Sequence, residues 1–261
     1  MKTSAIITAE DKLNHLKTLF YRLRVRAAYE RLTSILSDPD ECGMSALDCI
    51  YEIMENEVQR RDSNALARRL KEAKICLPNA RPDTIDFSIE RGLDKNKIDA
   101  LLTMRWMEEH QNIIITGAAG CGKTFLACAL VNQACIKGRT ARVVRVPLLL
   151  NQMAASHQIV ETYFKKLKEM KTIDLLVLDD WGIGQLDARS RQDLLEIINE
   201  RYMYASTIVT SVLPVNKWSE YINDTTYSDA ILDRLVSVSH RVELNGASVR
   251  QMKEYGAVLK E

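Results

Sequence analysis

The sequence predicts an α/β protein: a parallel five-stranded sheet with helices on both faces, preceded by a small all-helical domain. Two observations carry this. Residues 1 to about 80 place apolar residues at helical spacing and show almost no strand signal. From about residue 84, short β-branched runs alternate with helical segments, at 112–116, 141–146, 174–179, 206–211 and 240–244. Strands separated by helices return in the same direction, so they argue for a parallel sheet. The stretch "LPNARPD" (77–83) holds two prolines and reads as a linker. The expected division is therefore 1–80 for the helical domain and 84–261 for the α/β domain.

In the helical region, Thr8 and Asp11 are placed to cap a helix running to about residue 36, with Leu13, Leu16, Leu19, Phe20 and Leu23 on one face. "SDPDECGMS" breaks the pattern, and Ser45 opens a second long helix to about residue 75. Its far half carries Arg60, Arg61, Arg68, Arg69, Lys71 and Lys74 against only Asp62 and Glu72. That local excess matters because the whole chain has 36 Lys+Arg against 35 Asp+Glu, a net charge of +1. Any nucleic-acid surface must therefore be a local patch. With 261 residues and 46% hydrophobic content, the chain can bury a sizeable core.

The six cysteines form no C-x-x-C pair, and no histidine lies near them at zinc spacing. Cys121, Cys128 and Cys135 recur every seven residues, as small buried thiols on one helix face would. Reduced thiols, no apolar leader and no apolar run of about 20 residues predict a cytoplasmic protein with no membrane partner.

The chemistry centres on "NIIITGAAGCGKTFLACAL" (112–130), a strand, a glycine-rich turn and a helix. Gly117, Ala118, Ala119, Gly120, Cys121, Gly122, Lys123 and Thr124 have the spacing G-x-x-x-x-G-K-[ST], with Phe125 next. Glycines let the backbone wrap phosphates with its N–H groups inward, and the helix N-terminus adds partial positive charge. Lys123 is expected to reach the β- and γ-phosphates of ATP, and the Thr124 hydroxyl to bind Mg²⁺.

Such a turn needs an acid nearby. "DLLVLDDWG" supplies Asp179 and Asp180 at the C-terminal end of a buried strand. Asp179 is read as the metal-side acid and Asp180 as the group that polarises the attacking water. Asp180 is shorter than the glutamate common at that place, which predicts slow hydrolysis. Two arginines follow, Arg234 on an amphipathic helix before the last strand and Arg250 after it. From charge alone each is more often a solvated or salt-bridged arginine than a phosphate contact.

The chain resembles the IstB-like ATPases, helpers of bacterial insertion sequences within the AAA+ superfamily and close to the DnaC helicase loaders. The resemblance runs through "ALARRLKEAKI", "RGLDKNKI", "GKTFLACAL", "DLLVLDDWG", "DLLEIINERY", "STIVTSVLPVNKW", "YSDAILDRLV" and "HRVELNGASVR". It implies a helical N-terminal domain and an AAA+ core without a full helical lid, since 17 residues follow Leu244. It implies slow, regulatory ATP hydrolysis that drives homo-oligomer assembly on duplex DNA and assists a partner transposase in target selection.

By resemblance, Lys123 and Thr124 match the Walker A lysine and hydroxyl, and Asp179 and Asp180 match Walker B. Arg234 matches an arginine finger, and Arg250 a sensor-2-like arginine. The segment 147–171 fills the place of the extra helical insertion of the initiator and loader clade. Its Lys165, Lys166, Lys168 and Lys171 are the DNA-contact candidates. One departure stands out. Where the group carries an amide after T-S, this chain has Thr210-Ser211-Val212, so either Ser211 substitutes or hydrolysis is weakened. The alternatives are a DnaC-like replicative helicase loader, which shares the core, and a small-molecule P-loop kinase, for which no arginine-rich lid is visible.

Overall fold

The computed structural model describes residues 8–38, 43–246 and 248. The chain divides into two compact units, 1–68 and 69–261.

The first unit contains α1 (Ala9–Arg22), α2 (Arg26–Ser37) and most of α3 (Ala46–Glu72). Thr8 and Asp11 form a reciprocal capping box at the start of α1. The single helix expected to residue 36 is broken at 23–25. Arg24 takes a left-handed φ of 57°, its amide bonds Tyr21 O, and the Val25 amide bonds Phe20 O. This is the Schellman arrangement made without glycine, which is why no sequence signal marks it. The reversal lets Phe20, Val25, Leu32, Ile35 and Ile53 share a small core with Ala28. The face expected to be buried is largely open: Leu16, Leu19 and Leu23 are exposed, Leu23 by 70%. Glu57 is buried at 3% exposure. Its carboxylate accepts from the amides of Ala27 and Ala28, at 3.0 and 3.3 Å, capping α2 from outside that helix.

The second unit continues through α4 (Lys95–Leu102), α5 (Arg105–Glu108), β1 (Asn112–Gly117), α6 (Lys123–Ile136), β2 (Ala141–Arg145), α7 (Val146–Ser156) and α8 (Val160–Thr172). It closes with β3 (Leu175–Trp181), α9 (Ala188–Arg201), β4 (Ser206–Ser211), α10 (Trp218–Ile222), α11 (Thr225–Val236) and β5 (Ser239–Leu244). The boundary between units falls inside α3 rather than in the 77–83 stretch. Ala73, Ala80 and Ile85 are buried, and Val143 of β2 donates its amide to Ala73 O. The proline-containing segment is thus packed as part of the second unit.

The sheet order is β2-β3-β4-β1-β5, all parallel. The three inner strands β3, β4 and β1 are buried on both faces, as strands covered by helices must be, whereas the edge strands β2 and β5 alternate buried with more exposed residues. Ile114, Leu176, Leu178 and Val209 join one core with residues of α7, α9, α10 and α11. Side chains alternate along a strand, so Ile113, Ile115, Val177 and Ile208 face the other side, where α6 lies. All four are fully buried. Trp181 anchors the first layer, its ring 5.2 Å from Trp218. Among the described residues, no helix is long and apolar enough to cross a membrane.

Candidate nucleotide-binding site

β1, β3 and β4 end at one edge of the sheet, so the turn after β1 and the acids ending β3 meet there. This is the edge where open parallel sheets place ligands. The turn closes tightly. A Cβ on Gly117 would collide with the backbone oxygen of Leu244, and Gly117 has a φ of 149°. At Gly122 (φ 100°) a Cβ would run into the Arg91 guanidinium.

Lys123 opens α6 rather than lying on an exposed loop. It is 9% exposed, and its ammonium donates to Gly117 O at 2.9 Å and Ala118 O at 2.8 Å. The Thr124 hydroxyl lies 2.9 Å from Asp179 Oδ1, and the Thr210 hydroxyl of β4 bonds the same oxygen. Asp179 is 4% exposed. A buried carboxylate with hydroxyl partners, opening onto the glycine-rich turn, is a set of hard oxygen donors of the kind Mg²⁺ takes.

Asp180 faces elsewhere. A bulge between Leu178 and Trp181 and a φ of 61° at Asp180 turn its side chain toward β2. There Arg145 Nε lies 2.6 Å from its carboxylate, and that hydrogen bond raises the Arg145 pKa above its ordinary value. The Asp180 amide donates to Thr210 Oγ1 at 3.3 Å. Thr210 therefore touches both acids, a role the sequence did not reveal. Ser211 does not substitute for the missing amide: it is fully buried, and its hydroxyl donates to Trp181 O at 2.7 Å. Val212 is 42% exposed and offers no hydrogen bond.

Beside the turn lies a cavity of about 340 Å³. Leu77, Ile89 and Phe125 give it an apolar wall, and Thr84, Lys123 and Thr124 a polar one. Such pairing suits a ligand with an apolar ring at one end and an anionic tail at the other. Arg91 braces the floor, donating to Cys121 O at 3.2 Å and Asp86 O at 3.0 Å. Burial lowers its pKa below the ordinary value, and Asp86 works against that. Neither Arg91 nor the 77–89 wall was singled out from the sequence. The one signal available was Arg91 itself, in "RGLDKNKI".

Arg234 lies at the opposite edge. Asn112, at the start of β1, donates its side-chain amide to Arg234 O at 3.1 Å. The strand's length then separates Arg234 from its own turn by roughly 17 Å. Its guanidinium donates to Ala230 O at 2.7 Å and lies over the Tyr202 ring. Arg250 lies outside the described residues. The α8 lysines are not equivalent. Lys171 pairs with Glu200 at 2.5 Å, and Lys166 donates to Gln152 O. Lys165 and Lys168 are exposed and make no ion pair among the described residues.

A glycine-rich turn after β1, an acid-bearing strand on the far side of β4 and this strand order define an ATPase of the AAA+ class. The match to the IstB-like ATP binding protein family spans residues 3–257, and the chain belongs to that family. It is 39% identical over 219 residues to an insertion sequence ATP-binding protein of Sinorhizobium fredii, covering 84% of this chain and 89% of that one. Its fold is similar to that of the DnaC helicase loader (20% identity, TM-score 0.53, covering 64% of this chain and 98% of that one). It is also similar to AMPPCP-bound DnaA from Aquifex aeolicus (20% identity, TM-score 0.55, covering 70% and 56%). At that identity the likeness to both structures is one of fold alone.

Proposed function

We propose that the protein is an ATP-controlled switch that oligomerises on duplex DNA and assists the transposase of an insertion sequence in choosing its target. The observation that carries this is the placement of two charged groups at opposite edges of one sheet. The turn, Lys123 and Asp179 sit at the C-terminal edge, and Arg234 at the N-terminal edge. A γ-phosphate contact from Arg234 must then be made to a second copy, so nucleotide state and assembly are one equilibrium.

Within one copy the roles divide by position. Backbone amides of 117–122 and the start of α6 bind the phosphates, and Lys123 leaves its carbonyl partners to hold the β- and γ-phosphates. Thr124 and Asp179 would hold Mg²⁺, which supplies charge neutralisation at the phosphates. Thr210 fixes the Asp179 carboxylate, and Asp180 receives the proton of the attacking water once turned from Arg145. Arg250 is proposed as a further phosphate contact on the resemblance alone. Lys165 and Lys168 are the favoured DNA contacts, since Lys166 and Lys171 are engaged within the protein. The insertion-sequence relative of similar length favours a transposase as partner.

Sedimentation with duplex DNA tests the reading. ATP with Mg²⁺ should give a large assembly on DNA that neither ADP nor ATP without DNA produces. The assembly should retain a transposase of the same insertion sequence in a pull-down. Assembly indifferent to nucleotide would overturn the switch, and retention of a replicative helicase instead would favour the loader reading.

A further inference from the structure

Two thiols stand in contact outside the chemistry described above. Cys76 Sγ and Cys128 Sγ are 3.7 Å apart. Cys76 is exposed and Cys128 buried. Cys128 lies on α6 one turn beyond Thr124, and the Leu77 amide also bonds its sulfur. Leu77, next to Cys76, is part of the apolar wall of the nucleotide cavity. Cys76 itself opens into a second cavity of about 300 Å³, beside Lys74 and Lys166 and beside Arg142 and Arg145, which are paired with Glu169 and Asp180.

From this geometry we infer that Cys76 and Cys128 are a thiol–disulfide pair, a modification site at which an anionic disulfide of the glutathione class closes a bond that weakens nucleotide binding. Lys74 and Lys166, which make no ion pair among the described residues, draw the negatively charged disulfide to the exposed sulfur. Burial pushes the Cys128 thiol up to about 12, so the exposed sulfur attacks first.

The Cys76 thiolate displaces one glutathione thiolate, breaking the glutathione S–S bond and forming a mixed disulfide. Cys128 then loses its proton and attacks Cys76 Sγ, releasing the second glutathione. The protein dithiol is oxidised, one oxidised glutathione becomes two reduced molecules, and the two protons leave on them.

The bond requires the sulfurs to close from 3.7 Å to about 2 Å. The two sides cannot share that movement equally. Cys128 is held inside α6 between fully buried Ala127 and Ala129. Cys76 sits in irregular chain just before Pro78. Cys76 therefore moves, and it carries Leu77 against the cavity that takes the nucleotide.

The test treats the native, reduced full chain with oxidised glutathione, maps cysteine-containing peptides by mass spectrometry and titrates ATP. A cross-linked Cys76–Cys128 peptide is expected, with ATP binding weakened several-fold and restored by dithiothreitol. Cys76→Ser alters only an exposed side chain, so it should fold, bind ATP like the parent and be unaffected by the oxidant. Glutathione retained on Cys76 with Cys128 free, or cross-linked protein that binds ATP as well as reduced protein, would overturn the inference. Failure of the reduced protein to bind ATP would instead count against the nucleotide reading on which the coupling rests.

Discussion

Asp180 and Arg145 are locked together across the ends of two neighbouring strands, Nε to Oδ2 at 2.6 Å, with Asp180 in a left-handed conformation that a non-glycine residue enters only when its surroundings hold it there. The pair turns the second acid of "LDDWG" away from the nucleotide turn while the first stays aimed at Thr124. Arg145→Ala should therefore raise basal ATPase several-fold without changing ATP affinity, because it frees Asp180 and leaves the phosphate contacts intact. Asp180→Asn should abolish turnover in either background. Steady-state phosphate release checks both, and an Arg145→Ala protein slower than the parent would show that the pair supports catalysis rather than restraining it.

Lys123→Ala should weaken ATP binding at least tenfold. A charge-assisted hydrogen bond of this kind contributes about 1.5–3 kcal/mol, and 1.4 kcal/mol is a factor of ten. The fold should survive, since the ammonium's partners in the structure are two carbonyls of the turn itself. Calorimetric titration with ATP and Mg²⁺, alongside a melting curve, separates the two effects.

Arg234→Ala should leave ATP binding to the isolated subunit nearly unchanged while reducing ATPase and ATP-dependent assembly on DNA together. Mixing it with Lys123→Ala protein should recover part of the activity, because each mutant supplies the half-site the other lacks. Slow turnover is expected even for the parent, given Asp180 and the aliphatic Val212, so electron microscopy of assemblies is the steadier readout. Normal assembly by the Arg234 mutant, with no gain on mixing, would remove the arginine from the site.

DNA affinity should fall by orders of magnitude between low and moderate salt, with little dependence on sequence, because phosphate contacts release counterions. Lys165→Glu with Lys168→Glu should weaken binding to all sequences alike. Lys171→Glu should act differently: it breaks the contact with Glu200 and should cost less binding than the double reversal. Fluorescence anisotropy over a salt series distinguishes these outcomes.

Glu57→Ala should destabilise the N-terminal unit by about 1–3 kcal/mol, the cost of leaving buried amides without a partner. Burial works to raise the Glu57 pKa, but Arg61 and the amides of Ala28 and Ala27 outweigh it and hold the group below its ordinary value. A depressed carboxylate contributes its stability above the unfolded-state pKa and loses it as pH falls through the folded one. The parent should therefore lose more stability than Glu57→Ala on acidification below about pH 4.5. Chemical denaturation at several pH values checks the sign.

Local chemistry made much of this protein legible before any fold was known. Runs of β-branched residues separated by helical segments marked all five strands to within a residue or two, because period and propensity are properties of adjacent residues. The turn at 117–124 and the acids at 179 and 180 were legible for a similar reason: residue spacing constrains the chemistry of a phosphate turn. The structure decided what depends on residues far apart in the chain. Thr210 reaches Asp179 only because β4 pairs with β3. Arg145 reaches Asp180 because β2 borders β3 at that register, and Arg91 meets the turn from the irregular segment before α4. The reversal at Arg24 was invisible because it uses no glycine or proline. Which lysines of α8 are available, and which edge Arg234 occupies, followed from packing. One-dimensional spacing encodes which groups a site can contain, whereas strand order and burial decide which of them face one another.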